Sequence, residues 1–203
     1  MLEYHLRARE SYNREKVTMY WLRSVVGIND VVYDVGANVG AYSLYAGKKL
    51  SQHSGKVYAF EPAYINFSAL CRNIIANDLG DIVIAYPVAF GDGCTPSKLF
   101  LSSTVEGSAL HGLSKPVSEG SSFVPQFQQG VFVTSIDDFV SYKEIDFPNH
   151  IKIDVDGSEQ QIVSGMKSVL IDKRLQSIMI EINSDISGGE IEHTIVSAGL
   201  AEV

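Results

Sequence analysis

Long apolar runs are missing from this chain of 203 residues: no segment approaches the roughly 18 consecutive apolar residues that a bilayer span requires. Its opening stretch, MLEYHLRARESYNREK, is charged throughout, so neither an export signal nor a membrane anchor is expected. Basic residues are also short, 16 against 24 acidic. The formal charge of −8 sets up a field that repels phosphate backbones, which argues against a nucleic-acid partner. Cysteine is scarce and scattered. Cys71 and Cys94 stand alone, there is no CxxC, and the histidines do not cluster, which excludes a zinc framework or a disulfide scaffold. Reduced thiols in a cytoplasmic protein are the expectation.

What remains is ordinary globular composition, 45% apolar and 20% charged. The length suits one domain over residues 1–203. A helix predicted over Ser11 to Val26, with Tyr20, Trp21 and Val25 on its apolar face, forms an N-terminal cap within residues 1–29. Apolar runs then alternate with helical patterns. VVYDV is followed by AYSLYAG, KVYAFEP by INFSALCRNIIANDLG with Phe67, Leu70, Ile74 and Ile75 at helical spacing, and DIVIAYPVAFGDG closes on glycines. HIKIDVDG and SIMIEIN repeat the design around a helix carrying Ile162, Val163, Met166, Val169 and Leu170. This alternation predicts an α/β fold, a doubly wound and mostly parallel sheet with helices on both faces. Residues 92–148 break the rhythm and read as an inserted hairpin, SKLFLSS with VFVTSI, a surface loop over Ser103 to Gln129, and a short helix capped by Ser135 or Asp137.

Ligands bind outside the carboxyl ends of such sheets, and Asp34, Glu61, Asp154, Asp156, Glu181 and Asn183 all fall there. The loop after the first strand reads Asp34-Val-Gly36-Ala-Asn38-Val-Gly40. A dinucleotide loop would be GxGxxG, because the middle glycine lets the backbone reach the pyrophosphate. Here an asparagine stands in that place, which fits a ligand without a pyrophosphate, such as S-adenosylmethionine. Asp34 is placed to accept from its ammonium group and Glu61 from its ribose hydroxyls. A NAD-binding acid does the latter too, so Glu61 alone leaves a NAD-linked oxidoreductase open.

Six stretches occur in a fixed order: DVGANVGAYSL, FEP, VAFGDG, VTSIDDF, IKIDVDGSE and IMIEIN. Together they resemble the FkbM-type methyltransferases, a class I S-adenosylmethionine-dependent family, over about Asp30 to Asn183. The resemblance implies that Gly36, Asn38 and Gly40 line the cofactor, that Glu61 holds its ribose, and that the backbone near Ala89 borders the adenine. It also implies a Rossmann-like sheet and methylation of a hydroxyl on a small molecule or glycan. Two departures stand out. The family's usual DVEG reads DVDG, with Asp156 one methylene shorter. After Asn183 there is room for a helix at Glu190 to Ala198 and the start of a strand at Ala201, so the closing strand pair is expected to be missing and the open edge to favour a homodimer.

For the chemistry, Asp154 and Glu181 are the catalytic candidates, and Asp154, Glu181 and Asn183 together offer hard oxygen ligands for Mg2+. Strand-end acids also occur simply because they are wet. His111 is either a base near neutral pH or a solvated loop residue, and Tyr42 and Tyr45 read as packing residues with a polar tip. A catalytically inactive cofactor-binding module is the remaining alternative.

Overall fold

The computed structural model describes residues 16–118, 120–181 and 188–201. In chain order the elements are α1 (Lys16–Ser24), β1 (Val31–Val35), α2 (Ala41–Leu50), β2 (Lys56–Phe60), α3 (Tyr64–Ala76), β3 (Val83–Tyr86), β4 (Ala89–Phe90) and β5 (Thr95–Leu101). They continue with β6 (Gly112–Leu113), β7 (Val117–Ser118), β8 (Ser121–Ser122), β9 (Phe127–Thr134), α4 (Ile136–Val140), β10 (His150–Ile153), α5 (Glu159–Ser164), α6 (Lys167–Leu170), β11 (Ser177–Ile180) and α7 (Gly188–Ser197).

Five strands form an all-parallel sheet in the order β11-β10-β1-β2-β3. The chain runs outward from β1 through β2 and β3, then returns to the other side of β1 as β10, so the order reverses between β1 and β10. A crevice opens at the carboxyl ends of strands at such a point. Because side chains alternate along each strand, Tyr33, Val35, Tyr58, Phe60, Ile151 and Ile153 face one layer, with Phe139, Ile162, Met166 and Leu170 packed on them. Val32, Val57 and Ala59 face the other, under Trp21, Ala46, Leu50 and Leu70. The first layer is built on rings: Phe60 lies 4.7 Å from Phe90 and 5.1 Å from Phe139, both edge to face, the favoured geometry of aromatic pairs.

The inserted segment joins β4 in a second sheet, β4-β9-β5-β6, in which β5 and β9 pair antiparallel from Thr95 opposite Val133 to Leu101 opposite Phe127. Ser135 caps α4, its Oγ accepting from Asp138 N at 2.9 Å. Three details differ from the sequence expectation. In α1 the buried side is Thr18, Met19, Trp21 and Leu22, while Tyr20 and Val25 are exposed, because Trp21 turns inward to donate to Ser177 Oγ at 2.8 Å. Ile75 is exposed, since the inward stripe of α3 runs Asn66, Leu70, Ile74 at intervals of four. The helix after β10 breaks into α5 and α6 at Gly165, where a β-carbon would sit 2.0 Å from the Gly91 carbonyl oxygen.

Candidate cofactor and acceptor cavity

The turn from β1 into α2 needs three left-handed residues in alternation: Gly36 at φ +77°, Asn38 at φ +51° and Gly40 at φ +95°. Glycine takes that conformation freely, and asparagine is among the side chains that tolerate it best. At Gly36 there is no room for a side chain either, because a β-carbon would lie 1.9 Å from the Asp154 carbonyl oxygen. At Gly40 it would meet Leu70 Cδ1 at 2.5 Å. The two glycines therefore let the turn press against β10 and α3.

Glu61, at the end of β2, fixes the turn's height. Its Oε2 accepts from Asn38 N and its Oε1 from Ala63 N, both at 2.8 Å. Burial pushes this carboxyl up, the two amides pull it back, and Asp156 and Asp34 push it further, so that it titrates at about 7. A buried carboxylate this close to neutrality is the kind of group a ligand's hydroxyl donors would stabilise in its charged form.

Between these parts lies a cavity of about 430 Å³ at the switch between β1 and β10. Gly36, Asn38, Glu61, Ala89, Asp154 and Asp156 contribute to its wall. Asn38 Oδ1 is shielded from solvent and makes no hydrogen bond. The opposite wall is a surprise of the inserted segment. Gly107, Ser108, Ala109 and His111, expected in a surface loop, close over the cavity. Asn66 Oδ1 accepts from Gly107 N at 2.7 Å and its Nδ2 donates to Ser108 O at 2.9 Å. Asp156 Oδ2 accepts from His111 N at 2.9 Å.

Three sequence candidates sit differently from expectation. Asp34 lies beneath the turn, outside the cavity wall, because it occupies the sheet face opposite Tyr33 and Val35. There its Oδ2 accepts from Ser43 Oγ at 2.5 Å and its Oδ1 stands 3.1 Å from Lys152 Nζ. Gly40 packs on Leu70 and is also outside the wall. Glu181 is exposed at the end of β11, where its amide donates to Ile153 O, and it does not reach the cavity wall beside Asp154. Asn183 lies outside the described residues.

Among the described members of the Mg2+ set expected from the sequence, Asp154 and Glu181 are not brought together as ligands of a divalent cation. Asp154 Oδ2 is already held by Lys152 Nζ at 3.0 Å, and among the described residues no three His, Cys, Asp or Glu side chains gather where a metal could bind.

Two residues escaped the sequence reading although each left a signal. Lys152 sits between Ile151 and Ile153 on a strand buried on both faces, where a lysine persists only if acids lie beside it. Burial alone would lower its ammonium, but Asp34 and Asp154 outweigh that and push it up to about 12. Asn66 is the polar member of the otherwise apolar stripe that continues with Leu70 and Ile74. A buried amide there signals a backbone segment needing partners.

The Methyltransferase FkbM domain model matches residues 34–199. The chain belongs to the FkbM methyltransferase-domain family. Hexuronic acid methyltransferase AglP of Haloferax volcanii is 25% identical to this FkbM-family chain over 173 residues, 85% of the chain and 64% of that protein. The 31-O-demethyl-FK506 methyltransferase FkbM of Streptomyces tacrolimicus is 24% identical over 184 residues, 80% of the chain and 69% of that protein. In solved structures the fold recurs in an FkbM methyltransferase from Methylobacillus flagellatus KT, at TM-score 0.51 and 19% identity, covering 78% of the chain and 35% of that protein. It recurs as well in a precorrin-6y C5,15-methyltransferase from Geobacter metallireducens GS-15, at TM-score 0.51 and 15% identity, covering 91% of the chain and 70% of that protein. The FkbM-family chain thus has the Rossmann-like class I methyltransferase fold, and it spans under two thirds of AglP. No helix among its described residues is long and apolar enough to cross a membrane.

Proposed function

We propose that this FkbM-family chain binds S-adenosylmethionine in the cavity at the carboxyl ends of β1 and β2 and methylates a hydroxyl oxygen of a sugar or other small molecule. The single observation that carries the reading is Glu61, a buried carboxylate in the cavity wall whose two oxygens accept from the Asn38 amide of the turn and from the Ala63 amide while their remaining lone pairs stay available to ribose hydroxyls. Asn38 Oδ1, buried without a partner, offers a second polar contact. The backbone at Ala89, between Val88 and Phe90 in the apolar part of the wall, suits an adenine face.

Bound there, the sulfonium supplies an already activated methyl group. What the chain contributes is alignment, exclusion of water and management of the acceptor proton. Gly36 lets the turn sit flush on β10, residues of the 107–111 segment form one wall of the cavity, and Asp154, held by Lys152, would orient an acceptor hydroxyl. The hydroxyl preference draws on the 31-O position named for the Streptomyces FkbM, and the sugar on the hexuronic acid named for AglP. The net charge of −8 argues for such an acceptor over a nucleic acid.

The test is calorimetry with S-adenosylmethionine, S-adenosylhomocysteine and NAD, followed by transfer of a labelled methyl group to a panel of glycosides and hydroxylated metabolites. Micromolar binding of the first two and label in an alkali-stable ether are expected. Tight NAD binding would overturn the reading in favour of an oxidoreductase. Cofactor binding without transfer to any acceptor would favour an inactive binding module.

A further inference from the structure

We infer, on the methyl-transfer reading above, that His111 selects the acceptor: its Nε2–H donates to an oxygen of the acceptor other than the one that is methylated. His111 is part of the cavity wall, and its Nε2 is shielded from solvent and makes no hydrogen bond within the protein. A buried donor left in that state is costly unless a ligand completes the bond.

The tautomer follows from the partners of the other ring nitrogen. Ser102 N donates to Nδ1 at 3.3 Å. A backbone amide has only a hydrogen to offer, so Nδ1 presents its lone pair and the hydrogen of the neutral ring sits on Nε2. Ser102 Oγ lies 3.2 Å from the same nitrogen and 2.9 Å from Ala109 O. Whichever of the two its hydrogen points to, the amide keeps Nδ1 an acceptor. Burial pushes the ring below its ordinary value, against the pull of the nearby Ser108 carbonyl, so the ring is uncharged near neutral pH.

Such a donor is scarce in this cavity. Among the described wall residues there is no lysine or arginine, and Glu61, Asp154 and Asp156 only accept when ionised. The Asn38 and Asn66 side chains aim their amide nitrogens at the Gly107 and Ser108 carbonyls. His111 Nε2 is the side-chain nitrogen left to donate into the cavity. The acids take a ligand's hydroxyl hydrogens, and His111 meets its lone pairs.

The ring stands on the acceptor's side. Its own amide donates at 2.9 Å to Asp156 Oδ2, two residues beyond Asp154 on the segment after β10. Asn38, Glu61 and Ala89, placed above at the cofactor, follow β1, β2 and β3 instead. The backbone just before the ring is strained. Leu110 holds φ +62°, a left-handed conformation that apolar side chains rarely take, and its side chain is 50% exposed, so its own burial does not fix the bend. The bend serves to set His111 in the wall.

The test uses the full chain saturated with S-adenosylhomocysteine and labelled with 15N in its histidines. The nitrogen shifts of His111 are expected to show hydrogen on Nε2 and a bare Nδ1, and hydrogen on Nδ1 overturns the assignment. His111→Asn keeps an acceptor for Ser102 N but has no donor at the Nε2 position, whereas His111→Gln carries an amide out to it. On the best acceptor of the methyl-transfer panel, His111→Asn is expected to raise KM by roughly 5–150-fold with kcat nearly unchanged. His111→Gln should bring KM back to within about threefold of wild type. Analogues of that acceptor, each lacking one of its other oxygens, identify the bonded atom, because for one of them His111→Asn costs nothing further. Wild-type KM in His111→Asn, an equal loss in both variants, or an equal loss on every analogue overturns the proposal. Weakened binding of S-adenosylhomocysteine to His111→Asn also overturns it, by assigning the donor to the cofactor. Failure of the wild-type chain to bind S-adenosylhomocysteine overturns the methyl-transfer reading instead, so the two failures are distinct.

Discussion

Lys152 Nζ lies 3.1 Å from Asp34 Oδ1, with both side chains 3% exposed, in a register that sets the two residues side by side on β10 and β1. The same ammonium lies 3.0 Å from Asp154 Oδ2 and over the Tyr42 ring. One buried cation thus joins the two strands whose ends form the cavity. Removing one partner strands the other's charge, which typically costs about 3–5 kcal/mol. Asp34→Asn or Lys152→Met is therefore expected to lose stability on that scale in urea melts, with Lys152→Met alone also freeing Asp154. The double variant should recover much of the loss, and additive losses would contradict the coupling.

The same pair sets a pH dependence. The Lys152 value in the folded chain, about 12, exceeds the ordinary lysine value of 10.5. Its contribution is fully present below about 10.5 and fades as pH rises through about 12. Alkaline melts of wild type and of the double variant should diverge least at the top of that window.

Glu61 behaves in the opposite sense. Its folded value of about 7 stands above 4.5, so this carboxyl weakens the ligand-free fold as pH rises from about 4.5 to about 7. A ligand whose hydroxyls donate to the carboxylate prefers the charged form. Affinity for S-adenosylmethionine should then fall as pH drops below about 7, by up to about tenfold per unit. Glu61→Ala should weaken binding more than tenfold at pH 8, since two charge-assisted hydrogen bonds of roughly 1.5–3 kcal/mol each would be lost. Calorimetry across pH measures both effects, and a flat profile would count against the ribose role.

Gly36 and Gly40 separate two kinds of glycine requirement. Alanine at Gly36 meets strain at φ +77° and a backbone carbonyl that cannot move away. At Gly40 the strain is similar, but the obstacle is the end of the Leu70 side chain. Gly36→Ala should therefore cost more in thermal melts than Gly40→Ala, and equal losses would show that backbone strain alone governs the turn.

Asn66→Ala removes two bonds to the 107–108 backbone. Hydrogen exchange at the Gly107 amide should accelerate by at least tenfold while the β5 and β9 amides, paired elsewhere, keep their protection. Methyl transfer in excess chelator should match the untreated rate, because Asp154 Oδ2 is taken by Lys152. Loss of activity that Mg2+ restores would reinstate a metal role.

Local rules made much of this protein legible in its sequence. β-branched runs ending in acids and followed by helical spacing are enough to define βαβ units, and the Gly-Ala-Asn-Val-Gly alternation carries the turn because left-handed backbone geometry is a property of single residues. Glu61 was legible for the same reason, being the last residue of its run at the carboxyl end of the sheet. Where a side chain points after that end depends on neighbours far away in sequence. Strand alternation puts Asp34 on the Val32 face beneath the turn, but the partner that holds it there comes from β10, more than a hundred residues later, which sets Lys152 beside it in register. Residues 107–111 look like an unpatterned loop, having neither apolar period nor turn signature, and became a cavity wall only because Asn38, Asn66 and Asp156, from three separate segments, supply partners for their backbone. Buried backbone groups must be satisfied somewhere, but sequence spacing carries no record of which distant side chain will do it.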